Sequence, residues 1–332
     1  MQYNFENISK EQAKKLVLDK IYGNIPKKPR HLDIEITLED DNFAAGRAIY
    51  RKEMLILETE ESIINIPFIS VIPLSQSPVP AIISLNFESN VPNKFLPAEE
   101  ISDRGYALFS LCIDDITSND PNFKLGIYGK LVKSRKKNTS PGKIALWAYA
   151  AIVLCDHISK LGDIDESKIG ISGHDVCAKA AMLAAGLDER IDFVISNNAF
   201  AAFSPVANPD NVGSVMAYDH PYLFCPAFAD EPVNEEPYIM MRLCNEKKIL
   251  VGCAKDDLMA NYTTEYEILR KSRFCERGNN LPKINEKSLS LPFVFENDDT
   301  SFHLRGGRSY FGREDWNIYL DFLDKKLKNT HF

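Results

Sequence analysis

The chain has 332 residues, with 39 Lys and Arg against 47 Asp and Glu, and a formal net charge of −8. This mild acidity argues against nucleic acid and anionic membranes as partners. The first residues are polar, and no stretch of about 18 apolar residues occurs. We therefore expect a cytoplasmic protein without a membrane span.

The seven cysteines are scattered along the chain, and most lie inside apolar runs such as 111–113 and 251–253. None forms a C-x-x-C pair. This usage predicts reduced, buried thiols rather than a disulfide framework, and it offers no C-x-x-C metal pattern. We expect neither a metal nor a cofactor.

The first third of the chain predicts a helix followed by antiparallel strands. Residues 9–21 have helical spacing, with Ser9 as N-cap, and we expect this helix to cover an edge of the sheet. Polar and apolar residues alternate over 31–38, and the strand pattern continues over 45–58 and 63–73. Two more uniformly apolar strands are predicted at 79–87 and 105–113, with a short helix at 97–101 between them.

The remainder alternates strands and helices. After an irregular, lysine-rich stretch at 114–141, which we interpret as a solvated loop, helices are predicted at 142–161, 176–187, 262–272 and 314–327. Strands are predicted at 168–172, 191–196, 248–253 and 301–305. Residues 197–235 are rich in loops and are a candidate cap. This order predicts one α/β domain over 1–332, with 1–30 as an N-terminal helix and arm.

The predicted domain has a doubly wound, mostly parallel sheet, helices on both faces and an antiparallel start. Ligands of such sheets bind beyond the carboxyl ends of the strands, where Asp175, Asp257 and the loop after Arg305 would lie.

The stretch 168–188 is typical of a nucleophile elbow. It predicts a buried strand, a tight turn at Gly173 and a helix, which is the arrangement of a G-x-S-x-G motif. The residue at the tip of the turn is Asp175 rather than serine. Ser172 precedes the turn and is expected to point into the sheet. An aspartate at a helix start also suits an N-cap, and we favour that interpretation of Asp175.

Several segments in order resemble bacterial α/β-hydrolases similar to glucuronoyl esterases and acetyl xylan esterases, from about residue 80 to the C-terminus. They are Asn86 with PAEE at 97–100, GKIALW at 142–147, the elbow, LDERIDFVISNN at 187–198, HLRGG at 303–307 and REDW at 313–316. The resemblance implies the α/β-hydrolase fold and a carbohydrate-esterase ancestry.

The resemblance also implies site residues, and the chain departs from them. The family elbow resembles G-H-S-R-x-G-K, so its nucleophile falls on Asp175 and its oxyanion-binding arginine on Val176. The acid position is Asp257. The closing motif resembles H-x-R-x-G-x-H, and its last histidine, the general base, falls on Ser309. The ligand-contacting positions of the pattern fall on four residues, which are His174, Lys179, Asn86 and Leu223.

These departures predict the loss of serine-esterase activity, because acyl transfer needs a hydroxyl nucleophile, a base and oxyanion donors. We expect a pseudoenzyme that acts as a binding or regulatory protein, or that is a remnant, with a small carbohydrate or ester as the candidate ligand. Two alternatives stay open. The chain is an active hydrolase that uses Asp175 as nucleophile with Asp257 and a relocated base, for which His303 is a candidate, or it is a carbohydrate-binding protein that uses the old cleft.

Overall fold

A computed structural model describes residues 8–136, 140–199, 219–230, 233, 235–257, 260–274 and 289–328. Within these ranges ten strands form one sheet. They are β1 (His31–Asp40), β2 (Ala48–Glu58), β3 (Ile63–Pro73), β4 (Val79–Asn86), β5 (Ala107–Cys112), β6 (Ile164–His174), β7 (Ile191–Asn197), β8 (Lys248–Ala254), β9 (Phe293–Glu296) and β10 (Thr300–Arg305).

The sheet is mixed, with a parallel centre and antiparallel ends. Its order is β1-β2-β3-β5-β4-β6-β7-β8-β10-β9. Strands β1, β2, β3 and β5 pair antiparallel, the neighbours from β5 to β10 pair parallel, and β9 closes the sheet antiparallel to β10. The doubly wound, mostly parallel α/β architecture expected from the sequence is therefore confirmed.

Helices cover both faces of this sheet. They are α1 (Lys10–Leu16), α2 (Ala98–Asp103), α3 (Ile113–Ile116), α4 (Gly126–Leu131), α5 (Lys143–Ile158), α6 (Val176–Leu187), α7 (Pro226–Asp230), α8 (Glu236–Leu243), α9 (Tyr262–Leu269) and α10 (Arg313–Leu327). The larger apolar core lies under α1, α5, α6 and α8, and a second core lies under α2 and α10. No described helix is long and apolar enough to cross a membrane.

The N-terminal helix begins where the sequence predicts. Ser9 Oγ accepts a hydrogen bond from the backbone of Gln12, and the Gln12 side chain accepts one from the backbone of Ser9, which completes a capping box. The helix continues as a π-helical turn over Val17–Ile21. Buried Ala13, Val17 and Ile21 dock it onto the larger core.

The lysine-rich stretch at 114–141 is more ordered than a solvated loop, and this prediction was wrong in part. It contains α4, and a buried cation organises its first half. Lys143, at the first position of α5, is fully buried and donates to the carbonyl oxygens of Ser118 and Asn122 at 2.7 and 2.8 Å. Periodicity does not reveal such a contact, because its partners are backbone groups 21 and 25 residues away.

Helix α8 and strand β9 have no counterpart among the predicted elements. Of the candidate cap at 197–235, residues 200–218, 231, 232 and 234 lie outside the described residues. The described cysteines are unpaired and buried, as expected; Cys275 lies outside the described ranges.

Gly173 fits a space that admits no side chain. A Cβ atom there would lie 2.4 Å from the backbone C and O atoms of Cys177, so the turn between β6 and α6 would have to open. We expect Gly173→Ala to lower the free energy of unfolding by about 1–3 kcal/mol, which is the usual cost of overpacking. Gly162→Ala is the matched control, because nothing lies within 4 Å of its Cβ position. Denaturant titration of both variants measures the difference; equal stability would contradict the tight turn.

Candidate active site at the strand-to-helix turn

The turn between β6 and α6 has the strained backbone of a nucleophile elbow. Asp175 adopts φ 56° and ψ −124°, a conformation that non-glycine residues rarely occupy. Its N–H donates to the carbonyl oxygen of Asn197 on β7 at 2.9 Å, and its carbonyl oxygen accepts from Ala178 at 3.0 Å. Strand, turn and helix thus present the Asp175 side chain at the carboxyl end of the sheet, where a hydrolase elbow presents its nucleophile.

The Asp175 side chain is not a helix cap, and that expectation was wrong. It makes no capping hydrogen bond, because the elbow conformation replaces the extended one of an ordinary N-cap. Oδ1 is buried and has no hydrogen-bond partner among the described residues. Burial, and secondly the charge of Asp257, raises the pKa of Asp175 to about 7, against smaller opposing effects of Lys179 and the N–H of Val176.

Asn198 joins the acid position to the base position. Its Nδ2 donates to Asp257 Oδ2 at 2.8 Å and to Ser309 Oγ at 3.2 Å. Asp257 Oδ1 also accepts from the N–H of Ala260 at 3.2 Å. The structure therefore brings Asp257 and Ser309 together, and the charge of Asp257 is felt at Asp175. Sequence reasoning missed Asn198; the available signal was an asparagine directly after β7, a residue type that tolerates its φ of 52°.

His174 lies at the elbow, but its ring bonds to groups other than Asp175. Nδ1 lies 2.7 Å from Asn197 Oδ1, and Nε2 lies 3.3 Å from Ser309 Oγ. The ring stacks on Phe95, with centroids 6.2 Å apart. Burial lowers the pKa of His174, although the hydrogen bond to Asn197 opposes this effect. The imidazole is thus held largely neutral beside the Ser309 hydroxyl.

His303, the candidate relocated base, belongs to a buried network on β10. Its Nε2 lies 2.8 Å from Asp315 Oδ1, and Arg305 Nε donates to the same carboxylate at 3.1 and 3.2 Å. The ring also packs edge-on against Tyr319. No hydrogen bond joins His303 to Asp175 within the described ranges, so its contacts support a role in anchoring α10.

Lysines on helices are commonly solvated, but Lys179 is buried. Its Nζ donates to both carboxylate oxygens of Glu236 on α8, at 3.1 and 2.9 Å, and both side chains are almost fully buried. The hydroxyl of Tyr22 donates to the same carboxylate at 2.5 Å. This ion pair ties α6 to α8 and to the N-terminal segment.

Asn86 and Leu223 make contacts within the fold that stabilise its local structure. Asn86 Nδ2 donates to the carbonyl oxygen of Glu88, and its Oδ1 accepts from the N–H of Phe87, so the side chain stabilises the turn after β4. Leu223 is 1% exposed and packs in the larger core. These contacts do not place either side chain as an open ligand-binding group.

Ser172 and Cys177 also lie near the elbow, and both side chains are buried. Ser172 is fully buried on β6, as expected. Cys177 is fully buried in the first turn of α6, and burial raises its pKa well above the usual value, so that the thiolate is disfavoured. In the described part of the chain, no three His, Cys, Asp or Glu side chains are grouped as a metal site.

The raised pKa of Asp175 predicts a pH-dependent stability. Because the folded protein holds this proton up to about pH 7 and the unfolded chain releases it near pH 4, stability falls as pH rises between these values. Asp175→Asn removes this cost, and we expect it to stabilise the fold by about 2–3 kcal/mol more at pH 8 than at pH 5. Denaturant titration at both pH values measures the effect. Asp256→Asn, an exposed neighbour of the site, is the control, and an equal response of both variants would contradict the prediction.

Comparisons with known proteins agree with this fold. A family model described as glucuronyl esterase, fungi, matches residues 57–202. The carbohydrate esterase MZ0003, from an unknown prokaryotic organism, is 24% identical over 243 residues, which cover 69% of this chain and 55% of that protein. The chain thus spans about half the length of this curated relative.

Solved structures show the same architecture over nearly the whole chain. A glucuronoyl esterase from Solibacter usitatus matches with a TM-score of 0.78 at 19% identity, covering 94% of this chain and 90% of that one. A mutant glucuronoyl esterase from Sporotrichum thermophile, in complex with methyl 4-O-methyl-beta-D-glucopyranuronate, matches with a TM-score of 0.62 at 16% identity, covering 97% and 82%. The chain therefore has the α/β-hydrolase fold, in the form found in the glucuronoyl esterases.

Proposed function

We propose that this chain is a carbohydrate-esterase relative that binds a small carbohydrate or ester at its elbow without hydrolysing it there. One observation carries the proposal. The tip of the elbow bears the Asp175 carboxyl, with a buried oxygen that lacks a hydrogen-bond partner in the described part of the chain. Acyl transfer at this point would need a hydroxyl and an imidazole to accept its proton.

The electrostatics of the elbow oppose attack on an ester. A tetrahedral intermediate develops negative charge on the former carbonyl oxygen, and preorganised donors must stabilise it. Here the ionised Asp175 would stand beside that charge, with Asp257 close enough to affect its ionisation. The position after the nucleophile is the apolar, buried Val176.

The alternative, in which Asp175 attacks carbon directly, requires an imidazole that activates water to release the covalent ester. His174 is engaged by Asn197 and Ser309, and His303 is engaged by Asp315. Neither ring hydrogen-bonds to Asp175. These contacts support binding over turnover at the elbow.

The ionisation of Asp175 indicates the class of ligand. A protonated carboxyl donates one hydrogen bond, and a pKa of about 7 keeps that form populated near neutrality. Such a donor can hydrogen-bond to the carbonyl oxygen of an uncharged ester. A ligand with a free carboxylate would instead be repelled by the negative charges of Asp175 and Asp257. The ester ligand of the Sporotrichum thermophile relative has this uncharged chemistry, and we extend it to this chain.

Restoration of the family residues tests the proposed loss. We expect wild-type protein to show no Asp175-dependent hydrolysis of a methyl glucuronate ester. The double variant Asp175→Ser with Ser309→His should hydrolyse it, because Asp257 already lies one bridging amide away from position 309. Asp175→Ser alone is the control and should remain inactive, since it lacks the base. Wild-type turnover that Asp175→Ala abolishes would contradict the proposal.

The affinity for the ester should depend on pH. If the ester binds only to protein with a protonated Asp175, nearly all molecules can bind at pH 5.5 and about one in thirty can bind at pH 8.5. We therefore expect up to about 30-fold weaker binding at the higher pH. Isothermal titration with methyl glucuronate measures this change. Asp175→Asn should bind equally at both pH values, because the amide always donates. The absence of binding heat at both pH values would refute the binding role.

A further inference from the structure

A hydroxyl–imidazole pair lies beside the elbow, and the family pattern assigns neither residue the role of nucleophile. Ser309 is exposed on the loop after β10, and its Oγ lies 3.3 Å from His174 Nε2. Asn198 Nδ2 lies 3.2 Å from the same oxygen and donates to it. Since this donor occupies an acceptor site of the hydroxyl, the hydroxyl proton is left to point at Nε2.

The imidazole is held in the tautomer that a base requires. Asn197 Nδ2 donates to the Tyr319 hydroxyl at 3.1 Å, so its Oδ1 faces His174 Nδ1 at 2.7 Å. An oxygen at that distance accepts the Nδ1 proton, which leaves the lone pair on Nε2 directed toward Ser309. The chain of contacts has the nucleophile, base and orienting group of a catalytic triad, with asparagine in the third place.

We propose that Ser309, His174 and Asn197 form a nucleophilic centre beside the elbow, in which Ser309 takes an acyl or phosphonyl group from an activated ester. The inference goes beyond ligand binding at the elbow and does not depend on it. It also reverses the role of position 309: the residue that replaces the family base serves as nucleophile, and the histidine at the elbow serves as its base.

The surroundings of His174 favour the neutral form of its ring, which is the form that can accept a proton. Burial is the largest influence and lowers the pKa of His174; Asn197, Asp315 and Asp257 oppose this effect, and Arg305 adds to it. The ring therefore carries little positive charge at pH 7 and can accept a proton.

The reaction balances without a further reagent. Ser309 Oγ forms a bond to the carbonyl carbon of the ester, and its proton moves to His174 Nε2. The carbon–oxygen bond to the leaving group breaks, and the leaving group departs as an alkoxide or phenoxide. His174 then gives up the proton that it took from Ser309, either to this anion or to solvent water. The product is an acyl-serine and a neutral His174. With a fluorophosphonate, phosphorus replaces carbon and fluoride leaves.

The aromatic wall beside this pair indicates the ligand class. Phe95 stacks on His174, Phe87 meets it edge-on at 6.4 Å, and both phenylalanines are partly exposed. Tyr310, next to Ser309, packs against Phe95 and is 41% exposed. An aryl or apolar leaving group can rest on these rings, so aryl esters are the appropriate probes.

Covalent labelling tests the proposal. The full chain is treated with p-nitrophenyl acetate and separately with a fluorophosphonate, and the adduct is measured by intact mass and located by peptide mapping. We expect one adduct per chain, on Ser309. Ser309→Ala should abolish it, whereas Ser77→Ala, which removes another exposed loop serine, should not.

The role of His174 has its own readout. The labelling rate should rise with pH and level off by about pH 7, because the base is already neutral there, and His174→Gln should lower the rate by at least about 100-fold. Denaturant titration verifies that this variant is folded. Unchanged labelling of Ser309→Ala, no adduct at Ser309, or a rate that keeps rising about tenfold per pH unit through pH 9 would each overturn the proposal.

Discussion

The site is governed by a carboxyl group held at a strained turn where water reaches only part of it. Asp175 combines a positive φ with a buried, unpaired oxygen, and these two features are costly in an ordinary loop. Protonation is the least costly response, which is why the pKa of Asp175 rises to about 7. The elbow therefore changes charge near neutral pH, and its contribution to stability and the proposed pH dependence of ligand binding follow from that change.

Around this carboxyl the polar groups of an esterase are present but differently connected. An acid, a hydroxyl and an imidazole still converge at the carboxyl ends of β6, β7, β8 and β10. The imidazole now comes from β6 itself, and the hydroxyl comes from the loop after β10. The amides of Asn197 and Asn198, consecutive at the end of β7, make the connections. The fold thus places a hydroxyl beside an imidazole next to the tip of the elbow, while the tip itself carries a carboxyl.

The scaffold beneath the site depends on buried charges that are fully paired. The Glu236 carboxylate accepts hydrogen bonds from Lys179 and Tyr22. The Asp315 carboxylate is hydrogen-bonded to His303 and Arg305. Such groups are tolerated out of water only when every partner is in place. They lock α8 and the N-terminal segment to α6 on one face, and α10 to β10 on the other. The end of the sheet that carries the elbow is therefore held on both faces.

Much of the fold and the placement of the candidate site were predictable, because they depend on local pattern. Alternating and uniformly apolar runs marked nine of the ten described strands, and the strand–glycine–helix run marked the elbow at Asp175. Strand β9 was missed, since four half-buried residues carry little periodicity. Helix α8 was missed because it directly follows the loop-rich stretch 197–235. Lys179 and Leu223 were assigned by resemblance, and whether either is open to a ligand depends on packing.

The sequence by itself placed Asp175, Asp257 and the loop after Arg305 at one edge of the sheet, because the carboxyl ends of parallel strands meet there. The family resemblance assigned the acid position to Asp257 and the base position to Ser309. The sequence also determined that the tip carries a carboxyl and that position 309 carries a hydroxyl. Only the tertiary structure decided which of these groups touch. Hydrogen bonds between Ser309, His174, Asn197 and Asn198 join residues up to 135 positions apart, and the burial that sets the pKa values of Asp175 and His174 comes from all the elements packed around them.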